Sequence, residues 1–207
     1  MKRGFSLAEI LITLMIIGVI AGMTIPALQK DAMNRTTVTN LKKIYSELNQ
    51  ATSLAMTDNM TDKFYKTDCW GSKDRFYNNF VNKYLNVIKT CENGSQKDCW
   101  GDDWDSADGK IFLLNSGIAV SFADIEEWVY SMDILVDTNG PKPPNKEGVD
   151  RFALNITGEG QVYAGLRPGS DADAESLYST FKTACKENLS ADYCAALIVM
   201  DGWQMNY

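Results

Sequence analysis

Hydrophobic residues follow two patterns in the first part of the chain. Between Ile10 and Gln29 there is no charged residue, and a helix of that length would span about 30 Å, the thickness of the hydrocarbon core of a bilayer. Further on, residues spaced three and four positions apart form one stripe, made by Val38, Leu41, Tyr45, Leu48, Thr52 and Ala55. Because no Gly or Pro interrupts the chain between Pro26 and Gly71, we predict a single helix over about Ser6–Met56.

Shorter periodic segments follow this helix. The spacing of Phe76, Phe80 and Tyr84, continued by Val87 or Ile88, predicts a second, short helix. The pattern then alternates and predicts antiparallel strands, the first two joined as a hairpin, at Lys110–Asn115, Gly117–Phe122, Val129–Asp137, Arg151–Ile156 and Gln161–Tyr163. Two short C-terminal helices are predicted at Asp171–Asn188 and Ala191–Met200. The expected fold class is α+β: a long N-terminal helix packed on a small antiparallel sheet head with short C-terminal helices.

The composition narrows the possible functions. Hydrophobic residues make up 45% of the 207 positions and charged residues 23%, as in ordinary folded proteins. The chain has no histidine, which excludes Ser-His-Asp and Cys-His nucleophilic sites and most catalytic zinc sites. We therefore expect a protein that is not an enzyme. The formal net charge is −7 and the acidic excess lies after residue 57, so nucleic acid is not expected as a partner.

Glu9 stands out because it lies inside the apolar N-terminal stretch, where an isolated carboxylate is unfavourable. Lys2 and Arg3 precede this stretch and favour a cytoplasmic N-terminus, with the rest of the chain outside. Three interpretations are open: a secretory signal cut after Ala21, a plain membrane anchor, or an anchor whose acid has a function. The first two have no need of Glu9.

The run Gly4–Leu14, Gly-Phe-Ser-Leu-Ala-Glu-Ile-Leu-Ile-Thr-Leu, resembles the processing motif of type IV pilins and type II secretion pseudopilins. In that family a prepilin peptidase cuts after the glycine and methylates the new N-terminal phenylalanine. The resemblance implies cleavage between Gly4 and Phe5, methylation of Phe5, and an apolar helix that stays attached to the mature chain. It also implies that Glu9 of one subunit pairs with the Phe5 amine of a neighbour, which offsets the cost of both charges.

The same predicted helix contains Gly18, Gly22 and Pro26. A proline inside a helix removes a backbone donor and crowds the preceding turn, so we expect a kink or a local loosening at Pro26. In the resembled family, a glycine and a proline at matching positions bracket a segment that loses helical structure inside filaments. The resemblance therefore assigns these three residues to assembly.

The domain organisation follows from these segments. We expect a leader of residues 1–4, a helix over residues 5–57 and a globular head over residues 58–207. Residues 5–29 would lie in the bacterial inner membrane, and residues 30–57 would pack on the head, outside the cytoplasm. The implied function is a structural subunit of a type IV pilus or of a type II secretion pseudopilus. The implied partners are copies of itself, other pilin-like subunits, the prepilin peptidase, the inner-membrane assembly machinery and membrane lipid.

An alternative from another functional class is a membrane-anchored protein with the same leader that binds a ligand or a carbohydrate. Its groove would be lined by tryptophans, of which the chain has Trp70, Trp100, Trp104, Trp128 and Trp203. Several exposed rings lying together would favour this function, whereas buried rings would be ordinary core residues.

The chain has five cysteines, and a translocated head would meet an oxidising compartment in which cysteines tend to pair. We predict two sequence-local disulfides, Cys91–Cys99 and Cys185–Cys194, with Cys69 left over. Cys69 and Cys99 share the context Asp-Cys-Trp-Gly, so either of them could be the partner of Cys91.

The segment Asp137–Asp150 is rich in Asp, Asn, Gly and Pro and resembles a loop of pilin-like proteins. Some pseudopilins bind calcium at a comparable place, which makes Asp137, Asn139 and Asp150 candidate ligands; no other cofactor is expected. The alternative is a rigid turn in which these side chains cap the loop's own backbone. No bidentate Glu stands at the usual EF-hand spacing, which favours the rigid turn.

Overall fold

A computed structural model of the chain describes residues 6–92, 95–101, 109–123, 131–165, 173–188 and 190–207. The chain forms two compact units, one ending at Thr36 and the other starting at Thr37. Helix α1, Leu7–Asp58, contributes to both units and continues through Pro26. The single long N-terminal helix predicted from the sequence is thereby confirmed. A loosening at Pro26 inside a filament stays a prediction.

The second part of α1 is held by its apolar stripe. Its buried residues recur at helical spacing and are Val38, Leu41, Ile44, Leu48, Ala51, Thr52 and Ala55. Tyr45, which the sequence placed on this stripe, is only partly buried, and Ile44 is fully buried beside it. Burial of each large aliphatic side chain contributes about 1.5–3 kcal/mol, so this stripe fixes the helix on the head.

In the part of the chain that the structure describes, four shorter helices follow α1. A 3₁₀ turn, Phe64–Lys66, leads to α2 at residues 73–84, whose middle part, Phe76–Val81, is a π-helix. The remaining helices are α3 at Lys97–Trp100, α4 at Ala174–Asn188 and α5 at Ala191–Met200. The two predicted C-terminal helices are α4 and α5.

Among the described residues, the sheet has six strands that are hydrogen-bonded in chain order. They are β1 at Val87–Cys91, β2 at Ile111–Leu114, β3 at Ala119–Ala123, β4 at Ser131–Asp137, β5 at Arg151–Thr157 and β6 at Val162–Tyr163. Every neighbouring pair is antiparallel, with Val120 opposite Val136 and Ile134 opposite Leu154. The α+β fold class is confirmed. The first residues of the strand predicted at Val129–Asp137 lie outside the described residues.

Strand β1 corrects one expectation. The sequence pattern continued α2 to Val87 or Ile88, but the helix ends at Tyr84 and Val87–Cys91 pairs with β2. The spacing of Phe76, Phe80 and Tyr84 is helical, whereas Val87, Ile88 and Thr90 are β-branched residues that favour strands. Pairing with β2 therefore outweighs the helical continuation.

The two faces of the sheet carry two separate clusters. The main cluster joins the buried stripe of α1 to inward-facing strand residues such as Phe112, Val120, Ile134 and Leu154. The second cluster consists of Cys91, Cys99, Trp100, Ile111 and Ala119. Because successive residues of a strand point to opposite faces, Ile111 and Phe112 belong to different clusters. Both faces of β2 are thus buried.

Candidate functional site

Helix α1 begins with a reciprocal pair of side chains. The backbone N–H and the hydroxyl of Ser6 both donate to Oε2 of Glu9, at 2.8 and 2.9 Å. In return, the backbone N–H of Glu9 donates to Oγ of Ser6 at 3.3 Å. This arrangement is a capping box, which satisfies first-turn donors that have no partner inside the helix. The predicted site residues Gly4 and Phe5 lie outside the described residues.

The side chains after Glu9 form an exposed apolar surface. Leu7 is 78% exposed and Ile10 is 48% exposed, and exposure continues through Leu28. Within the described residues, α1 is long and apolar enough to cross a membrane. At Gly18 and Gly22 no atom lies within 4 Å of an added Cβ, so the helix surface is open there. Small residues on an apolar helix allow a second helix to approach closely.

The predicted calcium ligands lie together in the loop between β4 and β5. The Asp150 carboxylate is buried and accepts hydrogen bonds from the backbone N–H groups of Asn145 at 2.9 Å and Lys146 at 2.7 Å. It also accepts from Nδ2 of Asn139 at 3.1 Å. These contacts cap the loop's own backbone, as the rigid-turn alternative requires.

Asp137 begins the same loop and is fully buried. Its carboxylate accepts a hydrogen bond from the backbone N–H of Asn139 at 3.2 Å and from Nε of Arg151 at 2.9 Å. Burial raises the pKa of the Asp137 carboxyl to about 7, and the hydrogen bond from Arg151 opposes that rise. The Arg151 guanidinium also lies over the Trp100 ring, 4.8 Å from its centre, which joins the loop to α3.

These hydrogen bonds decide how well the loop could bind calcium. Calcium takes about six to eight oxygen ligands, and both carboxylates already accept hydrogen bonds from the protein. The amide oxygens of Asn139 and Asn145 are buried with no hydrogen-bond donor and are available as ligands, but two oxygens are far fewer than calcium requires. Within the described ranges, no group of three or more His, Cys, Asp or Glu side chains could hold a metal. The geometry therefore fits backbone capping better than a metal centre, and calcium binding stays a prediction.

The loop is also fastened to α1 and to the C-terminus. Nδ2 of Asn40 on α1 donates to the Thr138 carbonyl at 2.9 Å. The hydroxyl of Tyr207, the last residue, donates to the Gly148 carbonyl at 2.9 Å. The loop is thus a junction between α1, the sheet and the end of the chain.

Residues 27–207 match a family model described as a family of unknown function (DUF6613). The chain belongs to this family. Residues 1–25 match the prokaryotic N-terminal methylation motif, so the DUF6613 region is preceded by an N-terminus of the type IV pilin-like, prepilin type. No curated protein and no solved structure matches the chain.

The DUF6613 head contains two disulfides. Cys91 is bonded to Cys99, with Cα atoms 6.1 Å apart, which closes the segment from β1 to α3. Cys185 is bonded to Cys194, with Cα atoms 5.1 Å apart, which joins α4 to α5. Both pairs are those predicted from the sequence.

Cys69 is a buried free thiol. It lies in the main cluster with α1, whereas Cys91 and Cys99 lie in the cluster on the other face of the sheet. The two Asp-Cys-Trp-Gly segments therefore lie in the clusters on opposite faces of the sheet. The sequence could not show which of Cys69 and Cys99 pairs with Cys91, because the two cysteines have the same neighbours in the chain. Burial raises the pKa of the Cys69 thiol to about 12.

The tryptophans in the described residues do not line a common groove. Trp70 is 6% exposed and Trp100 is 2% exposed, in different clusters. Trp203 packs edge-on against Tyr45, with ring centres 5.2 Å apart. The predictions for Trp104 and Trp128 lie outside the described residues. Trp70 and Trp100 therefore have the core role that the sequence offered as the alternative to ligand binding.

Proposed function

We propose that this chain is a structural subunit, not an enzyme, of a filament of the type IV pilus or type II secretion pseudopilus kind. Its leader, residues 1–4, is removed by a prepilin peptidase between Gly4 and Phe5, and the new Phe5 amine is methylated. The observation that carries the proposal is the methylation motif on a chain whose first helix runs without interruption from an exposed apolar segment into a folded head.

The exposed apolar part of α1 supports assembly. A helix with exposed hydrophobic residues such as Leu14, Ile17 and Ile20 is stable in lipid, and equally in a bundle of copies of itself. Glu9 is unfavourable in lipid alone, but it becomes compensated when it contacts the Phe5 amine of a neighbouring subunit. The charge pair therefore favours the bundle and selects its register.

Three residues of α1 suit it for packing in such a bundle: Gly18, Gly22 and Pro26. The open surface at the two glycines admits a neighbouring helix, and Pro26 lacks the N–H that would hold its turn. We assign all three to assembly.

The location follows from the same segment. Lys2 and Arg3 favour retention of the leader on the cytoplasmic side of the inner membrane, which places the head outside the cytoplasm. The two disulfides of the head suit that oxidising side. The partners are then copies of this chain, other pilin-like subunits, the membrane-bound assembly machinery and lipid, before extraction into the filament.

The test compares Glu9→Val with Glu47→Gln, a second acidic position on α1 that lies in the head unit. We expect Glu9→Val to make few or no filaments while the melting temperature of the head stays that of the wild type. Glu47→Gln should assemble normally. Normal filaments from Glu9→Val would end the assembly proposal.

Mass spectrometry of the membrane-extracted protein tests the processing step separately. The expected N-terminus is Phe5 carrying one methyl group. A chain that starts at Gly22 would instead be a secreted protein with a cleaved signal. Cryo-electron microscopy of sheared filaments then gives the copy number, which is high for a major pilin and low for a minor subunit.

A further inference from the structure

The capping box at the start of α1 restricts the Glu9 carboxylate. Both donors of Ser6 reach the same oxygen, Oε2, and the Ser6 hydroxyl in turn receives the Glu9 N–H. A glutamate side chain has three rotatable bonds, and this closed ring of contacts selects among its rotamers. The carboxylate is thereby turned back toward the N-terminal end of the helix.

The other oxygen, Oε1, has no hydrogen bond or ion pair with any described residue. It lies at a helix N-terminus, where unpaired N–H groups and the helix dipole stabilise a negative charge. An amine that approaches the start of α1 therefore meets an acceptor that is already oriented. Beside Glu9 the helix surface is open and mostly apolar, with Ile10, Ile12 and Thr13 exposed.

We infer that Ser6 is a positioning residue for assembly, which holds the Glu9 carboxylate in the orientation that receives the Phe5 amine of a neighbouring subunit. This inference rests on the proposed function. Ordering the carboxylate before the subunits meet removes part of the conformational entropy cost of the contact. Ser6 contributes no charge of its own and acts through Glu9.

Three substitutions separate this role from simple helix capping. Ser6→Ala removes the hydroxyl and weakens the cap. Ser6→Gly also removes the hydroxyl but keeps a helix start nearly as stable as that of serine. Ser6→Thr keeps the hydroxyl. The control is Thr24→Ala, which removes a hydroxyl that only donates to the Ile20 carbonyl in the same helix, at 3.0 Å.

The measurement is the fraction of each variant that enters filaments of co-expressed, tagged wild-type chain, counted per processed molecule. We expect Ser6→Ala and Ser6→Gly to enter about three- to tenfold less than wild type, the range of one lost hydrogen bond, because both lack the hydroxyl that donates to Glu9. Ser6→Thr and Thr24→Ala should enter within twofold of wild type. If Ser6→Gly enters like wild type while Ser6→Ala does not, Ser6 only caps the helix and the inference is wrong.

A double variant shows whether the effect passes through Glu9. In a Glu9→Val background, adding Ser6→Gly should change entry by less than twofold, because no carboxylate remains to be positioned. A further three- to tenfold loss would overturn the inference. If Glu9→Val enters filaments normally, the proposed function fails. If Glu9→Val is excluded but Ser6→Ala and Ser6→Gly are not, only the role of Ser6 fails.

Discussion

The hydroxyl of Thr52 on α1 lies 2.9 Å from the main-chain carbonyl oxygen of Gly160, 108 positions later in the chain, and 3.0 Å from the Asn49 carbonyl of its own helix, so the two acceptors share its one proton. Thr52 is fully buried, and Gly160 lies in the turn between β5 and β6. A buried carbonyl that loses its donor remains without water, so this bond fixes the last strand pair to the helix.

Replacing Thr52 with Val keeps the shape of the side chain and removes the donor. We expect the free energy of unfolding to fall by about 1–3 kcal/mol, the cost of an unsatisfied buried acceptor. The control is Ser53→Ala, whose exposed hydroxyl only bonds the Asn49 carbonyl of its own helix and should change stability by less than about 0.5 kcal/mol. Denaturant unfolding of the detergent-solubilised chain measures both, and equal losses would contradict the role of the Gly160 bond.

Gly101 and Gly117 form a second matched pair. Both have left-handed backbone, with φ of 88° and 82°, so alanine costs about 1–2 kcal/mol at either position. A Cβ on Gly101 would also lie 2.6 Å from the Pro141 carbonyl, whereas nothing lies within 4 Å at Gly117. We expect Gly101→Ala to destabilise the head by about 1–3 kcal/mol more than Gly117→Ala. Equal unfolding midpoints for the two variants would show that the backbone at Gly101 does not pack closely against Pro141.

The elements with strong periodicity were predictable from the sequence. The apolar stripe of α1, the continuous apolar run of β2 and the alternating residues of β3 and β5 predicted the positions of these elements to within about two residues. Strand β1 was missed because its residues follow α2 without a Gly or Pro, and only pairing with Leu113 and Phe112 on β2 reveals it. Periodicity describes a segment alone, whereas a strand is stabilised by its neighbour.

The site was predictable in its residues but not in its contacts. The motif around Glu9 was evident, and the spacing Ser-x-x-Glu could have indicated the capping box, since that pattern typically starts a helix. The pairing of Arg151 with Asp137 could not be predicted, because it depends on where two strands place a loop. Long-range contacts of this kind leave no periodic signal.

The buried thiol predicts a simple labelling result. Because burial raises the pKa of Cys69 to about 12, almost no thiolate is present at pH 8. The native chain should therefore react with no iodoacetamide, and the denatured, unreduced chain should react once. Rapid labelling of the native chain would show that Cys69 is accessible. A non-reducing peptide map should contain the Cys91–Cys99 and Cys185–Cys194 peptides.

The raised pKa of Asp137 predicts the direction of a pH effect. Its pKa rises from 3.8 to about 7 on folding, so the folded chain binds a proton more tightly than the unfolded chain between these values. The stabilisation is complete below about pH 4 and is lost as the pH rises through 7. From pH 7.5 to pH 5.5, the wild type should gain about 1–2 kcal/mol more than Asp137→Asn.

The comparison with Asp137→Asn is needed because burial also raises the pKa of Asp192. Asp58 and Asp98 do not contribute to the pH effect between pH 5.5 and pH 7.5, because the hydrogen bonds from Lys83 and Lys89 lower their pKa values. Unfolding curves at the two pH values give the result. Identical pH dependence in both chains would mean that Asp137 stays ionised throughout.

Calcium gives a test of the loop between β4 and β5. Because Asp150 already accepts three hydrogen bonds and Asp137 is paired with Arg151, we expect the melting temperature to be the same in calcium and in chelator. Magnesium at equal ionic strength is the control. A melting temperature that rises in calcium but not in magnesium, and does not rise in Asp150→Asn, would establish the metal site instead.

The strands of the head are hydrogen-bonded in the order in which they are synthesised. If the head is exported from its N-terminus onward, as the proposed function requires, α1 emerges first and each strand emerges directly after the one with which it pairs. Each disulfide closes over a short interval, 8 residues in one case and 9 in the other. Cys69 precedes all four of these cysteines in the chain and is buried in the main cluster of the folded head. The order of synthesis therefore favours pairing between near neighbours in the chain, for the strands and for the cysteines of both disulfides alike.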